Sequence, residues 1–282
     1  MGVGGDGGGP AGRSAVTDAA DDHYANAADG WERASLVYRP LAEELVRRCP
    51  TELHGRLVLD VGAGTGVATD APLAAGASPI AVDRSAGMVA WRREDRPPSA
   101  VADARMLPFR DDGFDGAVAA FVLNHLTDPE AGLREIARVV RPGGVVLATV
   151  YANSSRSVVR DRLDNVATGL GFTAPGWYAE LKSRATPLLG TVSLMAATAE
   201  SAGLVDVTVT EEVCDVGIDH AAELVDYRFG QAHYAGWLAS LDEDDRLDVR
   251  ARVIDAIEPL MEPYRPTVVF LSARTRPTPP TP

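Results

Sequence analysis

Three carboxylates and three closely spaced glycines in the first half of the chain are the residues whose types and spacing suggest chemistry. Asp60 precedes Gly62, Gly64 and Gly66 in LVLDVGAGTGVA, Asp83 closes a short apolar run in IAVDRSAGMV, and Asp103 follows another in ADARMLPF. Glycines two apart after an apolar run let the backbone turn sharply and let a ligand approach without meeting a Cβ. The free N–H groups of a helix starting there favour the negative end of such a ligand. Among candidate proton acceptors, His125 follows the fourth apolar run and His233 stands beside Tyr234 in a later segment. Histidine is a usual general base where a hydroxyl or an enolisable carbon must lose a proton. His23 and His54 read as surface residues. The five histidines show no ligand spacing, and Cys49 and Cys214 lie far apart, so neither a metal centre nor a disulfide framework is expected.

These residues need a scaffold, and the apolar runs supply one. Leu57–Val61, Pro79–Val82, Ala100–Ala102, Phe114–Val122 and Val145–Val150 read as strands, the last after a Pro142-Gly143-Gly144 turn. Helical stretches separate them: 68–75, 86–93 and 129–140, the last with Leu133, Ile136 and Val140 on one face. This alternation predicts a doubly wound α/β sheet. Val205–Val216 and Thr267–Ala273 add two strands, giving a seven-stranded, mostly parallel, Rossmann-like sheet with an antiparallel edge. A helical preface covers 22–48, with Pro40 suited to the first turn of its last helix. Residues 1–18 are Gly-rich and read as a disordered tail, 19–275 as one domain, and 276–282 as a Pro-rich tail.

Two segments break the rhythm. Residues 152–190 carry no strand pattern, and 219–241 are dense in aromatics; both read as lids over a pocket. Trp31, Tyr151, Trp177, Tyr178, Tyr227, Tyr234 and Trp237 suit a partly apolar substrate pocket over the carboxyl ends of the strands. A net charge of −13 argues against nucleic acid as a partner, and no apolar run approaches the roughly 20 residues that span a bilayer. The start lacks the basic and apolar parts of a signal peptide, so the chain reads as cytoplasmic, as a monomer or homodimer.

The third glycine comes one residue too early for a dinucleotide fingerprint, with Val67 where that glycine would stand. DVGAGTG instead resembles the first motif of class I S-adenosyl-L-methionine-dependent methyltransferases. The strand ends at Asp83 and Asp103, FDGAVAAFVLNHLTDP and LREIARVVRPGGVVLA resemble that family's later motifs in the same order. The resemblance covers residues 60–150 strongly and the flanks weakly. It implies S-adenosyl-L-methionine as cofactor and S-adenosyl-L-homocysteine as product, with a small-molecule substrate methylated at O, N or C. By position it implies Asp60, Gly62, Ala63 and Gly64 around the methionine end, and Asp83 on the ribose hydroxyls. Arg84 and Met88 would lie along the adenine, Asp103 and Ala104 at the base edge, Phe121 near the sulfonium, and Tyr38 would help close the site. The Ala-, Gly- and Arg-rich composition, with Lys182 as single lysine, fits a bacterial specialised metabolite such as an antibiotic intermediate. The alternatives are a cofactor-binding cyclase or regulator that no longer methylates, and a nicotinamide oxidoreductase, which Val67 disfavours.

Overall fold

A computed structural model describes residues 22–25 and 27–278, so the tail predicted over 1–18 lies outside the described residues. The chain alternates strands with helices through its first half: α1 (Ala28–Arg47), β1 (Leu57–Val61), α2 (Asp70–Ala74), β2 (Ser78–Asp83), α3 (Ala86–Ala90), β3 (Ser99–Val101), β4 (Phe114–Ala120), α4 (Pro129–Val139) and β5 (Val140–Tyr151). The second half is mostly helical: α5 (Val158–Gly169), α6 (Gly176–Glu180), α7 (Val192–Ser201), β6 (Val205–Val213), α8 (Ala221–Phe229), α9 (Ala232–Ser240), α10 (Glu243–Ile257) and β7 (Thr267–Arg274). A π-helical turn, Leu181–Ala185, follows α6 directly.

The strands form one sheet in the order β3-β2-β1-β4-β5-β7-β6. β1 pairs in parallel with both β2 and β4, so the chain winds outward through β3 and then restarts on the other side of β1. Open α/β sheets bind ligands at such a switch point, outside the carboxyl ends of the strands. Successive residues of the buried β1 feed different layers. Val58 packs with Leu41 and Leu45 of α1 and Leu163 of α5, whereas Leu59 packs with Leu133 and Ile136 of α4 and Met195 of α7. Period-two side chains thus build two cores from one strand.

Three expectations change. The antiparallel strand is β7, which lies inside the sheet between β5 and β6 rather than at its edge. Its Val268–Leu271 run is buried on both faces, as an interior strand requires, while β6 exposes Asp206, Thr208, Glu211 and Glu212 and takes the edge. The turn predicted at 142–144 is a bulge within β5, where pairing with β4 jumps from Phe114↔Val140 to Gly116↔Val145. Pro40 sits inside the continuous α1 rather than at a helix start.

The segment predicted as a lid over 152–190 is helical, in α5 and α6, and 219–241 forms α8 and α9. Both pack on α10, which begins with an Asp242 N-cap: the Asp242 carboxylate accepts the Asp245 N–H at 2.8 Å, and Glu243 and Asp244 add negative charge to the first turn. Replacing Asp242 with Ala should destabilise the protein by about 1 kcal/mol. A fall in the midpoint of urea unfolding with unchanged slope would register this loss.

Candidate active site

The turn after β1 is held in shape from three sides. Gly62, Gly64 and Gly66 all have positive φ, at 73°, 54° and 94°. The N–H groups of Gly62 and Ala63 both donate to the Val82 carbonyl, at 2.8 and 3.0 Å, which stitches the turn to β2. Arg96 lies beneath and donates to the carbonyls of Gly64 and Met88, each at 2.9 Å. A Cβ on Gly62 would fall 2.3 Å from Val122, whereas one on Gly64 would meet only the Trp31 indole nitrogen, at 3.8 Å. The glycines therefore serve different ends. Gly62 makes room for Val122, just past the end of β4, and Gly64 keeps backbone open to a cavity.

That cavity has a volume of about 410 Å³ and is bordered by Gly62, Ala63 and Gly64, by Asp83, Arg84 and Met88, by Asp103 and Ala104, and by Phe121. Asp83 links turn and wall: its Oδ2 accepts the Gly64 N–H and its Oδ1 the Ser85 N–H, both at 2.8 Å. Burial pushes the Asp83 carboxyl up, and the two backbone donors pull it back. The Asp103 carboxylate accepts from Arg105 Nη2 at 2.7 Å and from Nε at 3.0 Å, which holds it below the usual carboxylate range. Phe121 directly follows β4 at φ 57°, a conformation costly for a bulky residue and kept by its N–H bond to the Thr149 carbonyl at 2.8 Å. Asp60 does not border the cavity. It is fully buried behind the turn, where Thr69 Oγ1 donates to Oδ2 at 2.6 Å and Oδ1 has no partner among the described residues. Burial pushes its carboxyl up to about 7.

The opposite wall comes from the N-terminal preface and the lid. Trp31 and Tyr38, both on α1, stack at 5.4 Å and 8°, and Tyr38 meets Phe121 edge-on at 5.1 Å. Trp177 of α6 closes the top against His23 and Tyr24. His125 ends a short 3₁₀ turn after β4, and its Nδ1 lies 3.1 Å from the Tyr24 hydroxyl. Burial depresses the imidazole to about 4, and the Lys182 charge adds to this, so His125 is neutral near pH 7.

The other residues expected at the site stand elsewhere. Tyr151 and Tyr227 form a layer behind Tyr38 and Phe121, with hydroxyls 3.0 Å apart. Tyr178, Tyr234, Trp237 and His233 build a separate aromatic cluster with Phe172 and Phe229. There His233 stacks on Tyr178 at 3.8 Å and 2°, its Nε2 has no partner among the described residues, and burial depresses it to about 2. α9 supplies His233, Tyr234 and Trp237 and α6 supplies Tyr178, with Tyr234 fully buried and Tyr178 and Trp237 half-buried. Residues missed in the sequence are the Asp22–Tyr24 strap, fastened by Ser85 Oγ to Asp22 at 2.8 Å, and Arg96. Tyr24, Trp31 and Tyr38 recur seven apart, the one available signal for the strap; Arg96 had none.

The turn, the two carboxylate-bearing strand ends and the open backbone at Gly64 fit a nucleoside with a cationic methionine tail: Asp83 and Asp103 offer acceptors, and Gly64 leaves space. Residues 59–148 match a family model described as a methyltransferase domain. A demethylmenaquinone methyltransferase of Mycolicibacterium paratuberculosis is 41% identical over 104 residues, 37% of this chain and 45% of that protein. This chain therefore covers less than half the length of that relative. Among solved structures, a chain from Haloferax volcanii in complex with the Trm112 methyltransferase activator superposes with a TM-score of 0.57 at 21% identity, covering 90% of this chain and 97% of that one. A Haemonchus contortus phosphoethanolamine N-methyltransferase holding phosphomonomethylethanolamine and S-adenosylhomocysteine superposes with a TM-score of 0.55 at 20% identity, over 84% of this chain and 52% of that one. These likenesses show the fold. Residues 59–148 thus match a methyltransferase domain, and the glycine turn and sheet order give the chain the fold of the class I S-adenosyl-L-methionine-dependent methyltransferases it resembles.

Proposed function

We propose that the protein transfers a methyl group from S-adenosyl-L-methionine to an oxygen or acidic carbon of a small specialised metabolite. The observation that carries this reading is the Tyr24–His125 pair, 3.1 Å apart, on the wall of the cavity that also holds the glycine turn and Asp83. In this reading Asp83 accepts the ribose hydroxyls, and Asp103 with Ala104 takes the adenine edge. Arg84 and Met88 flank the base, and Gly62, Ala63 and Gly64 let the methionine portion lie against the backbone. Asp60 braces the turn from behind through the hydrogen bond it accepts from Thr69 Oγ1. Phe121 and Tyr38 exclude water from the sulfonium, and Trp31 and Trp177 confine the acceptor.

The bound cofactor supplies an electrophilic methyl group on positive sulfur, so the protein has to align the acceptor and take its proton. His125 is neutral and Tyr24 is raised far above an ordinary phenol by burial, so the pair is uncharged near neutral pH. An acceptor hydroxyl can pass its proton to Tyr24 Oη while the Tyr24 proton moves to His125 Nδ1. His233, enclosed among aromatics, is assigned no proton transfer. The aromatic wall of Tyr38, Phe121 and Trp177 keeps water from competing for the methyl group.

Incubation with S-adenosyl-L-methionine and a metabolite panel should yield S-adenosyl-L-homocysteine in step with methylated acceptor; tight cofactor binding with no methyl loss on any acceptor would favour a cyclase or regulator. Gly64→Val puts a branched side chain at φ 54° against the cavity, and calorimetry should find no cofactor binding. Undiminished affinity would overturn the cofactor placement. His125→Ala should lower kcat by about 10²-fold or more with cofactor affinity unchanged. The depressed imidazole also sets a pH signature. The unfolded chain binds the His125 proton at about 6.5 and the folded chain only near 4, so stability conferred by the folded site is complete above about 6.5 and is lost as pH falls toward 4. His125→Gln should lose less stability than wild type between about pH 7 and pH 5, measured by thermal unfolding.

A further inference from the structure

Gln231 stands at the N-cap of α9, where Ser, Thr, Asp or Asn usually accepts a backbone N–H, yet its side chain makes no capping bond. It turns inward instead and is buried. Its Oε1 accepts from Arg228 Nη1, and its Nε2 donates to the Tyr38 hydroxyl at 3.2 Å, across 193 residues. A guanidinium only donates, so the Gln231 carbonyl oxygen must face Arg228 and the amide nitrogen must face Tyr38. The amide has one workable orientation.

Arg228 is itself pinned. Its buried guanidinium clasps Asp164 of α5, with Nη2 at 2.7 and 2.8 Å from the two carboxylate oxygens and Nε at 3.1 Å from one of them. The Tyr234 hydroxyl donates to the same carboxylate at 2.8 Å. A buried charge without such partners is costly, so the clasp fixes Arg228 and, through it, Gln231. Two glycines bring this chain of bonds within reach of α1. A Cβ on Gly230 would lie 2.3 Å from the Gly30 carbonyl oxygen and 3.0 Å from the Ala34 nitrogen, and one on Gly30 would lie 3.0 Å from the Gly230 carbonyl oxygen. The backbone just after α8 therefore meets α1 without side chains between them. Gly30, Ala34 and Tyr38 are spaced four apart and share a face of α1, so the crossing that seats Gly230 also presents Tyr38 to Gln231.

Tyr38 borders the cavity, its ring stacked on Trp31 and edge-on to Phe121. Those contacts set the plane of the ring, and the Gln231 bond sets how far it reaches along the wall. Burial pushes the Tyr38 hydroxyl up to about 12, so it stays a neutral phenol and contributes by placement rather than by taking a proton. We propose that Gln231 is a positioning residue of the cofactor site: through its amide bond to the Tyr38 hydroxyl it holds that ring beside Phe121, where the two rings face the cationic sulfur of S-adenosyl-L-methionine. This rests on the methyltransferase reading, which puts the sulfonium between Tyr38 and Phe121, and adds the group that keeps one of those rings in place.

The test titrates the protein calorimetrically with S-adenosyl-L-methionine and with S-adenosyl-L-homocysteine, which lacks both the methyl group and the positive charge on sulfur. A ring held against a cation favours only the charged ligand. Gln231→Met, similar in length but without the amide, should lower the ratio of methionine-form to homocysteine-form affinity by about threefold or more and leave homocysteine-form affinity unchanged. Tyr38→Phe keeps the ring and the bonds joining Gln231, Arg228 and Asp164, and should lower the ratio equally. The double variant should lose no more than either single variant. Gln231→Met strands one Arg228 donor; if that variant fails to fold, the ratio in Tyr38→Phe decides. An unchanged ratio in Tyr38→Phe, additive losses in the double variant, or equal weakening of both ligands would each overturn the proposal. Failure of both ligands to bind the unaltered protein would instead refute the methyltransferase reading.

Discussion

The Asp83 carboxylate is the joint on which the cofactor side of the site depends. Its two oxygens accept one N–H from the turn after β1 and one from the start of α3, so a single side chain sets the distance between backbone and cavity wall. A carboxylate this buried would be costly alone; charge-assisted bonds to backbone N–H groups make the ionised form tolerable. Arg96 completes the clamp from below through carbonyl bonds. Phe121, just past the end of β4, adopts φ 57° and lends its ring to the cavity wall.

The acceptor side obeys a different logic. It is built from side chains on helices: Trp31 and Tyr38 come from α1 and Trp177 from α6. On the cofactor side, burial raises the carboxyls of both Asp60 and Asp83 near the glycine turn. His125, on the facing wall, is kept neutral by burial and by the Lys182 charge.

Much of the fold was legible because its signals are local. Buried parallel strands read as apolar runs, and the glycines at 62, 64 and 66 must be glycines at their observed φ. Strand ends at Asp83 and Asp103 were legible for the same reason. The position of β7 between β5 and β6 was less so: its continuous apolar run marks it as interior, yet that run lies next to last in no local pattern. The bulge at 141–144 was read as a turn, since Pro-Gly-Gly has the same composition in either role.

The sequence alone determined the sheet, the glycine turn, the carboxylates after the strands and the aromatic density of the later segments, because each follows from residue type at short range. Only the tertiary structure decided which aromatics face the cavity. Trp31, Tyr38 and Trp177 do, whereas Tyr178, Tyr234 and Trp237 pack with His233 and Phe172 away from the cavity lining, and periodicity cannot tell one apolar face from another. It also decided that Tyr24 meets His125 across 101 residues, and that Asp164 engages Arg228 across 64. Those pairings are set by helix packing over long sequence separations, where the identity of a residue carries no record of its neighbour.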